Sequence, residues 1–142
     1  MARFSLLTVM ALLVCAAGAQ AATISGFRSP SRNISCALVA KPATLFCSIA
    51  QSSYVQRLQR HCLRPDGSGV DWHGFELGAA RAGEVTCSGG VLVMGTVVYR
   101  TVPYGTTWRR GPFRCASART GVTCRSGHAH GLFISRASWR VW

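Results

Sequence analysis

Six cysteines that follow an apolar N-terminal segment limit the fold more than any other feature of this 142-residue chain. An even number of cysteines in a small chain is typical of a disulfide framework formed in an oxidising compartment. Six cysteines allow fifteen pairings, so local sequence has to narrow the choice. The six are Cys36, Cys47, Cys62, Cys87, Cys115 and Cys124.

Two pairs of these cysteines flank predicted β-hairpins. "ISCALVAKPATLFCSI" has β-prone runs on both sides of Lys41-Pro42, and "FRCASARTGVTCRS" is centred on Arg119-Thr120. Residues equidistant from a hairpin turn lie opposite each other, with Cβ atoms close enough for a disulfide. The predicted bridges are Cys36–Cys47 and Cys115–Cys124, which leaves Cys62–Cys87. The two hairpins are similar, so duplication and convergence both stay open.

The N-terminus predicts export. Arg3, the apolar stretch "FSLLTVMALLVCAA" and Ala19-Gln20-Ala21 indicate a signal peptide over residues 1–21. The apolar stretch is shorter than the roughly 18 to 20 residues that span a bilayer. Acylation at Cys15 is the alternative, although Val14 stands where a small residue is expected. We therefore expect one secreted or periplasmic disulfide-rich β domain over residues 22–142, with no transmembrane segment after cleavage.

Sequence patterns after the leader are mainly those of β-structure. The stretches "GGVLVMGTVVYRTV" and "HGLFISRASWRVW" predict strands, and "YGTTWRRG" predicts a turn. Apolar residues approach helical spacing only near residues 54–62, where one short helix is predicted. Fifteen glycines and five prolines agree with short strands and tight turns. The predicted fold is a small, disulfide-stapled antiparallel β-sandwich or barrel.

The charge of the chain is strongly positive. Of 16 basic side chains Arg3 leaves with the leader, so 15 remain against four acidic ones, a net charge of +11. All of these basic residues except Lys41 are arginine, which binds carboxylate and phosphate groups through two hydrogen bonds. An exported protein meets anionic envelope polymers and acidic glycans, so nucleic acid is not the expected partner. Codon usage and a solvated surface are the alternative explanation of the arginines.

Arginine and tryptophan occur together in "TTWRRG" and "SWRVW", where stacking and charge favour binding to sugars or other ligands. The alternative for each tryptophan is a place in the small core. The candidate binding residues are Trp108, Arg109, Arg110, Arg114, Trp139, Arg140 and Trp142.

Signs of catalysis and metal binding are weak. The four acidic residues lie within residues 66–84, and no hydrolase motif is present. His128 and His130 would share one face of a strand, but structural zinc sites use closer cysteine pairs than Cys115 and Cys124. No catalytic residue, metal or cofactor is therefore predicted.

The sequence predicts a non-catalytic binding protein for an anionic partner. One alternative is an inhibitor that presents the loop Arg64–Val70 to a hydrolase. Another is a small secreted hydrolase that uses His73 or Glu76, so enzymatic activity stays open.

Three stretches in order, "FRSPSRNISC", "YGTTWRRGPFRCASARTGVTCRSG" and "HGLFISRASWRVW", resemble an uncharacterised family of small exported bacterial proteins. Two departures are visible, since Arg32 stands where glycine is usual and Leu132 separates the usual glycine-phenylalanine pair. The resemblance implies bacterial origin, secretion and disulfides, and it implies no activity.

Overall fold

Two β-sheets packed face to face form the domain. A computed structural model describes residues 23–69, 72–88, 93 and 95–142, without the side chains of Trp72 and His73. The prediction of a mainly β, disulfide-bonded domain is confirmed, and the two sheets form a sandwich rather than a closed barrel. The predicted signal peptide lies outside the described residues. Within the described ranges, no helix is both long and apolar enough to span a membrane.

The first sheet has six strands in the order β5-β4-β3-β2-β1-β6, and the second has five in the order β11-β10-β9-β8-β7. The strands of the first sheet are β1 (Ile24–Arg28), β2 (Ile34–Ala40), β3 (Ala43–Ile49), β4 (Trp72–Gly78), β5 (Glu84–Ser88) and β6 (Val97–Thr101). Those of the second are β7 (Thr107–Arg110), β8 (Phe113–Ala118), β9 (Gly121–Arg125), β10 (Gly131–Ile134) and β11 (Trp139–Val141). One helix, α1 (Val55–His61), confirms the short helix predicted near residues 54–62.

All three predicted disulfides are confirmed. Cys36 faces Cys47 across the β2–β3 hairpin and Cys115 faces Cys124 across the β8–β9 hairpin. Their Cα atoms lie 4.1 and 4.0 Å apart. The third bridge, Cys62–Cys87, ties the end of α1 to β5. The two hairpin disulfides could be predicted because the position of a hairpin turn determines which residues lie opposite each other.

The two sheets share one plan. Strands β1–β5 and β7–β11 each form a five-stranded antiparallel meander in which neighbours in sequence are neighbours in space. A row of five core residues crosses each meander at matching positions. The first row is Phe27, Cys36, Cys47, Phe75 and Val85, and the second is Trp108, Cys115, Cys124, Leu132 and Val141. This correspondence favours duplication of a five-stranded unit over convergence of two hairpins.

These two rows pack against each other at the centre of the sandwich. The Phe27 and Trp108 rings are 4.9 Å apart between centroids, and Phe75 lies 5.7 Å from Trp139. Sulfur atoms of both hairpin disulfides also lie close together, with those of Cys36, Cys47 and Cys124 within 4.8 Å of one another. The four cysteines of the two hairpins are therefore fully buried core residues.

Two sequence predictions need correction. The stretch "YGTTWRRG" is not wholly a turn, because β7 begins at Thr107 and pairs with β8. The sheet is not wholly antiparallel, since β6 pairs in parallel with β1. The first error arose although β7 and β8 form a local hairpin about Gly111-Pro112, because Trp108 alone among the β7 residues is buried. The second arose because the β1–β6 pair joins segments that are distant in sequence, which local patterns do not report.

The segment "FRSPSRNISC" carries β1 into β2 through a tight turn. Arg32 takes the left-handed conformation at φ 59°. The Asn33 side chain bonds twice to the backbone of Gln51: its amide donates to the carbonyl oxygen at 3.1 Å, and its oxygen accepts from the N–H at 2.9 Å. Asn33 thus fixes the turn against the residues that follow β3.

Candidate functional site

The outer face of the second sheet carries a row of arginines. In the register of the strands, Arg109 on β7 lies opposite Arg114 on β8, which lies opposite Arg125 on β9. All three side chains are exposed, since they alternate with the buried residues of the same strands. Adjacent strands are about 4.8 Å apart, so one guanidinium is presented at each step across the sheet. We call Arg109, Arg114, Arg125 and Trp142 the arginine row.

Trp142 completes the row at its far end. Its backbone exchanges two hydrogen bonds with Gly131, the residue opposite Arg125. A Cβ atom at Gly131 would collide with Cζ2 of the Trp142 indole and would lie 2.6 Å from the Cys124 carbonyl oxygen. The glycine therefore lets the indole lie across the strand, where its Nε1–H donates to the Ala129 carbonyl oxygen at 3.0 Å.

Two arginines flank the Trp142 ring. The guanidinium carbon of Arg125 lies 5.3 Å from the ring centroid, and that of Arg140 lies 4.9 Å from it. A cation over an aromatic face gains about 0.5 to 1 kcal/mol at an exposed site. The indole thus orders two guanidinium groups at one end of the row and leaves their N–H donors directed to solvent.

Acidic side chains do not neutralise this face. Across the described ranges, the ion pairs join Arg81 to Glu76 at 3.1 Å and to Glu84 at 3.9 Å, on the first sheet. Asp66 lies in a loop after α1, where Ser68 donates two hydrogen bonds to its carboxylate and holds its pKa below the usual value. Like charges opposite each other lower the stability of a sheet, so the arginine row should reduce the stability of the fold. Its presence is therefore not explained by a contribution to folding.

The first sheet supplies an internal comparison. On the first sheet, the residues next to the core row occupy the positions that match the arginine row of the second sheet. They are Arg28, Ser35, Ser48, Gly74 and Thr86. Glycine is kept where the second sheet has Gly131, but serine stands in place of Arg114 and Arg125. Threonine stands in place of Trp142. An arginine, Arg28, also stands at the position that matches Arg109. The same meander therefore forms with serines in place of Arg114 and Arg125, so the architecture does not require those two arginines.

The structure separates the predicted binding residues into two groups. Arg109, Arg114, Arg140 and Trp142 come together on the outer face of the second sheet. Arg110 is exposed at the β7 edge. Trp108, at 8% exposure, lies in the core, and Trp139 is half-buried against it.

Sequence reasoning missed Arg125, although a signal was present. The pairs Arg114-Cys115 and Cys124-Arg125 are mirror images about the Arg119-Thr120 turn. The equidistance that predicts the disulfide also places the two arginines opposite each other.

Residues weighed for metal binding or catalysis lie elsewhere. His128 and His130 lie in the turn between β9 and β10 rather than on a strand. Among the residues described, the ligand-type atoms that cluster closely are the sulfurs of Cys36, Cys47 and Cys124, and all three are in disulfides. Glu76 is engaged by Arg81.

Comparison of the chain with protein-family models, with curated proteins and with solved structures finds no match. The case for a functional site therefore depends on the geometry of the arginine row and on its contrast with the first sheet.

Proposed function

We propose that this protein is a non-catalytic, exported binding protein that holds an anionic polymer of the cell envelope or its surroundings on the arginine row. One observation carries the proposal. Three arginines that form no ion pair among the described residues lie opposite one another on adjacent strands. The first sheet has an arginine, Arg28, at the matching position on β1 but serines at those on β2 and β3. Exposed guanidinium groups without carboxylate partners are suited to paired hydrogen bonds with ligand carboxylates or phosphates.

Export is part of this proposal. Three disulfides fit an oxidising compartment, and residues 1–21 have the features of a signal peptide. In the periplasm or outside the cell, the abundant polyanions are envelope polymers and acidic glycans. The resemblance of "FRSPSRNISC" and the later stretches to exported bacterial proteins agrees with that location.

Replacing Arg114 and Arg125 by serine tests the site with the residues that the sister sheet already uses. Each lost charge-assisted contact is worth about 1.5 to 3 kcal/mol, so affinity for a polyanion should fall by at least tenfold. The control is Arg57→Ser with Arg60→Ser, which removes the same charge from the exposed surface of α1. Calorimetric titration with polygalacturonate, and with neutral dextran as the blank, measures the difference.

The salt dependence of the affinity for a polyanion is a second test of the same site. Exposed charge interactions are screened over about 8 to 10 Å at 0.1 to 0.15 M salt, so wild-type affinity should fall steeply over that range. The salt dependence should be weaker in the Arg114→Ser, Arg125→Ser variant. Equal affinities in this variant and in the α1 control would show that the arginines are only a solvated surface.

A rigid loop after α1 favours a second candidate function, inhibition of a hydrolase. The Arg64 N–H donates to the Ser68 carbonyl oxygen and the Gly67 N–H donates to the Arg64 carbonyl oxygen, so the turn is ordered by its own backbone. The Cys62–Cys87 bridge anchors its base. A preordered loop loses little entropy on binding. Stoichiometric slowing of a hydrolase that is abolished by Asp66→Ala would support this function.

A further inference from the structure

A cleft on the open side of the sandwich lies next to the arginine row. It has a volume of about 610 Å³ and lies between β6, the last strand of the first sheet, and β7, the last strand of the second. The residues that line it include Arg100 from β6 and Arg109 and Arg110 from β7. No acidic side chain is among the described residues that line this cleft.

β7 connects the cleft to the outer face. Successive side chains on a strand point to opposite sides, so Arg109 shares the outer side with Thr107 while Arg110 shares the inner side with Trp108. Arg109 belongs both to the arginine row and to the lining of the cleft. Positive charge therefore continues from Arg125 across the sheet, around the β7 edge and into the cleft, where Arg100 faces it from the other sheet.

We propose that the row and the cleft form one bent track for a linear polyuronate, an acidic glycan with one carboxylate on each sugar. This inference rests on the proposed function and specifies its ligand. One guanidinium per strand gives a step of about 4.8 Å, which is close to the length of one sugar unit in an extended glycan. Carboxylates on the side of the glycan that faces the sheet are thus within reach of the guanidinium groups of Arg109, Arg114 and Arg125, and each pair has the forked geometry that carboxylate and guanidinium share.

Phosphodiester polymers match the track less well. Their charged groups are separated by a longer repeat than one strand step, so consecutive phosphates do not keep register with Arg109, Arg114 and Arg125. The cleft then takes the part of the glycan that extends past β7, with carboxylates between Arg110 and Arg100.

Oligogalacturonates of increasing length test the track. From β7 to β11 there are four strand steps, roughly 19 Å, so an oligomer of about four sugars covers the arginine row. Wild-type affinity should rise up to that length and then rise again as longer oligomers enter the cleft. The variant Arg100→Ser with Arg110→Ser should bind short oligomers like the wild type and should lose the second rise, about tenfold for long ones.

The outcomes separate this inference from the proposed function. If Arg100→Ser, Arg110→Ser matches the wild type at every length while Arg114→Ser, Arg125→Ser is weakened, the cleft is not part of the track and the proposed function stands. If the row variant also matches the wild type, the proposed function fails. A phosphodiester polymer, poly(glycerol phosphate), that binds as tightly as polygalacturonate per charge, with the same loss in the row variant, overturns the polyuronate assignment. Far-UV circular dichroism and melting of each oxidised variant confirm that it is folded.

Discussion

Arg32 shows how one backbone angle links sequence to stability. Its φ of 59° belongs to the left-handed region, which costs a residue with a Cβ atom about 1 to 2 kcal/mol. The turn is nevertheless retained because Asn33 bonds to Gln51 on both sides of its amide. Glycine takes a positive φ without this cost.

Arg32→Gly should stabilise the domain. The gain from relieving the backbone is partly offset by the larger entropy of glycine in the unfolded chain, which leaves about 0.5 to 1 kcal/mol. Urea unfolding of the oxidised protein measures the shift. Arg32→Ala removes the same side chain but keeps the Cβ atom, so it should give no such gain. Equal stability of the alanine and glycine variants would contradict the account.

Tyr54 is a buried residue whose ionisation opposes folding. Its hydroxyl donates to the Ser135 carbonyl oxygen at 2.8 Å, and burial raises the pKa of Tyr54 to about 12. An unfolded tyrosine has a pKa near 10. The folded protein therefore holds this proton more tightly, and the resulting stability is complete below about pH 10 and is lost as the pH rises to about 12.

Tyr54→Phe should reduce the loss of stability between about pH 10 and 12, although the variant is less stable at neutral pH because the Ser135 carbonyl loses its donor. Denaturant unfolding at several pH values in this range measures the slope. Tyr99→Phe, at an exposed position on β6, is the control and should keep the wild-type slope. An unchanged slope in the Tyr54 variant would contradict the assignment.

At the scale of strands and hairpins, local sequence predicted what local geometry decides. The bridges Cys36–Cys47 and Cys115–Cys124 followed from the turns because each hairpin sets its own register. Strand β7 was mistaken for a turn because only Trp108 among its residues is buried, and the pairing with β8 that holds it does not show in the sequence of Thr107–Arg110. The parallel β1–β6 pair joins distant segments, so no local pattern could report it.

The candidate site was predicted to a similar extent. The adjacency of Arg109, Arg110 and Arg114 in sequence was visible, but the position of Arg125 required the hairpin register to be applied to the neighbours of the cysteines. Side chains alternate between the two faces of a strand, so the position of a tryptophan along its strand decides whether it lies in the core or on the outer face. Trp108 lies opposite the buried Cys115 and points to the core, whereas Trp142 lies opposite Gly131 in the arginine row on the outer face.

The β10–β11 pair depends on a glycine beneath an indole. Gly131→Ala should destabilise the domain by about 1 to 3 kcal/mol and weaken polyanion binding, because the new methyl group collides with Trp142 and displaces the ring that orders Arg125 and Arg140. Melting and tryptophan fluorescence measure both effects. Gly127→Ala, where a Cβ atom meets nothing within 4 Å, is the matched control. Indistinguishable behaviour of the two variants would show that Trp142 is not held in this way.

Across the whole molecule, charge is divided between the two sheets. Glu76 and Glu84 lie on the outer face of the first sheet beside Arg81, whereas the arginine row and Arg140 occupy the outer face of the second. The core rows of the two meanders correspond strand by strand, so the sheets differ mainly in what they present to solvent. This contrast between the outer faces distinguishes the second sheet as the candidate site.

Building a second arginine row on the first sheet tests this relation directly. Ser35→Arg with Ser48→Arg would place guanidinium groups opposite each other next to Arg28, at the positions that match Arg114 and Arg125. Like charges should lower stability by less than about 1 kcal/mol per pair. Polygalacturonate should then bind at a second site, weaker than the first because Thr86 replaces Trp142, and the calorimetric stoichiometry should rise towards two.

The control for that variant is Gln56→Arg with Gln59→Arg, which adds the same charge to the exposed side of α1. General attraction between a more basic protein and a polyanion would raise binding equally in both variants. A second site confined to the Ser35→Arg, Ser48→Arg protein would mean that binding depends on guanidinium groups spaced by the strands of a sheet. Equal gains in binding by the two variants would mean that the arginine row attracts a polyanion only through its net charge.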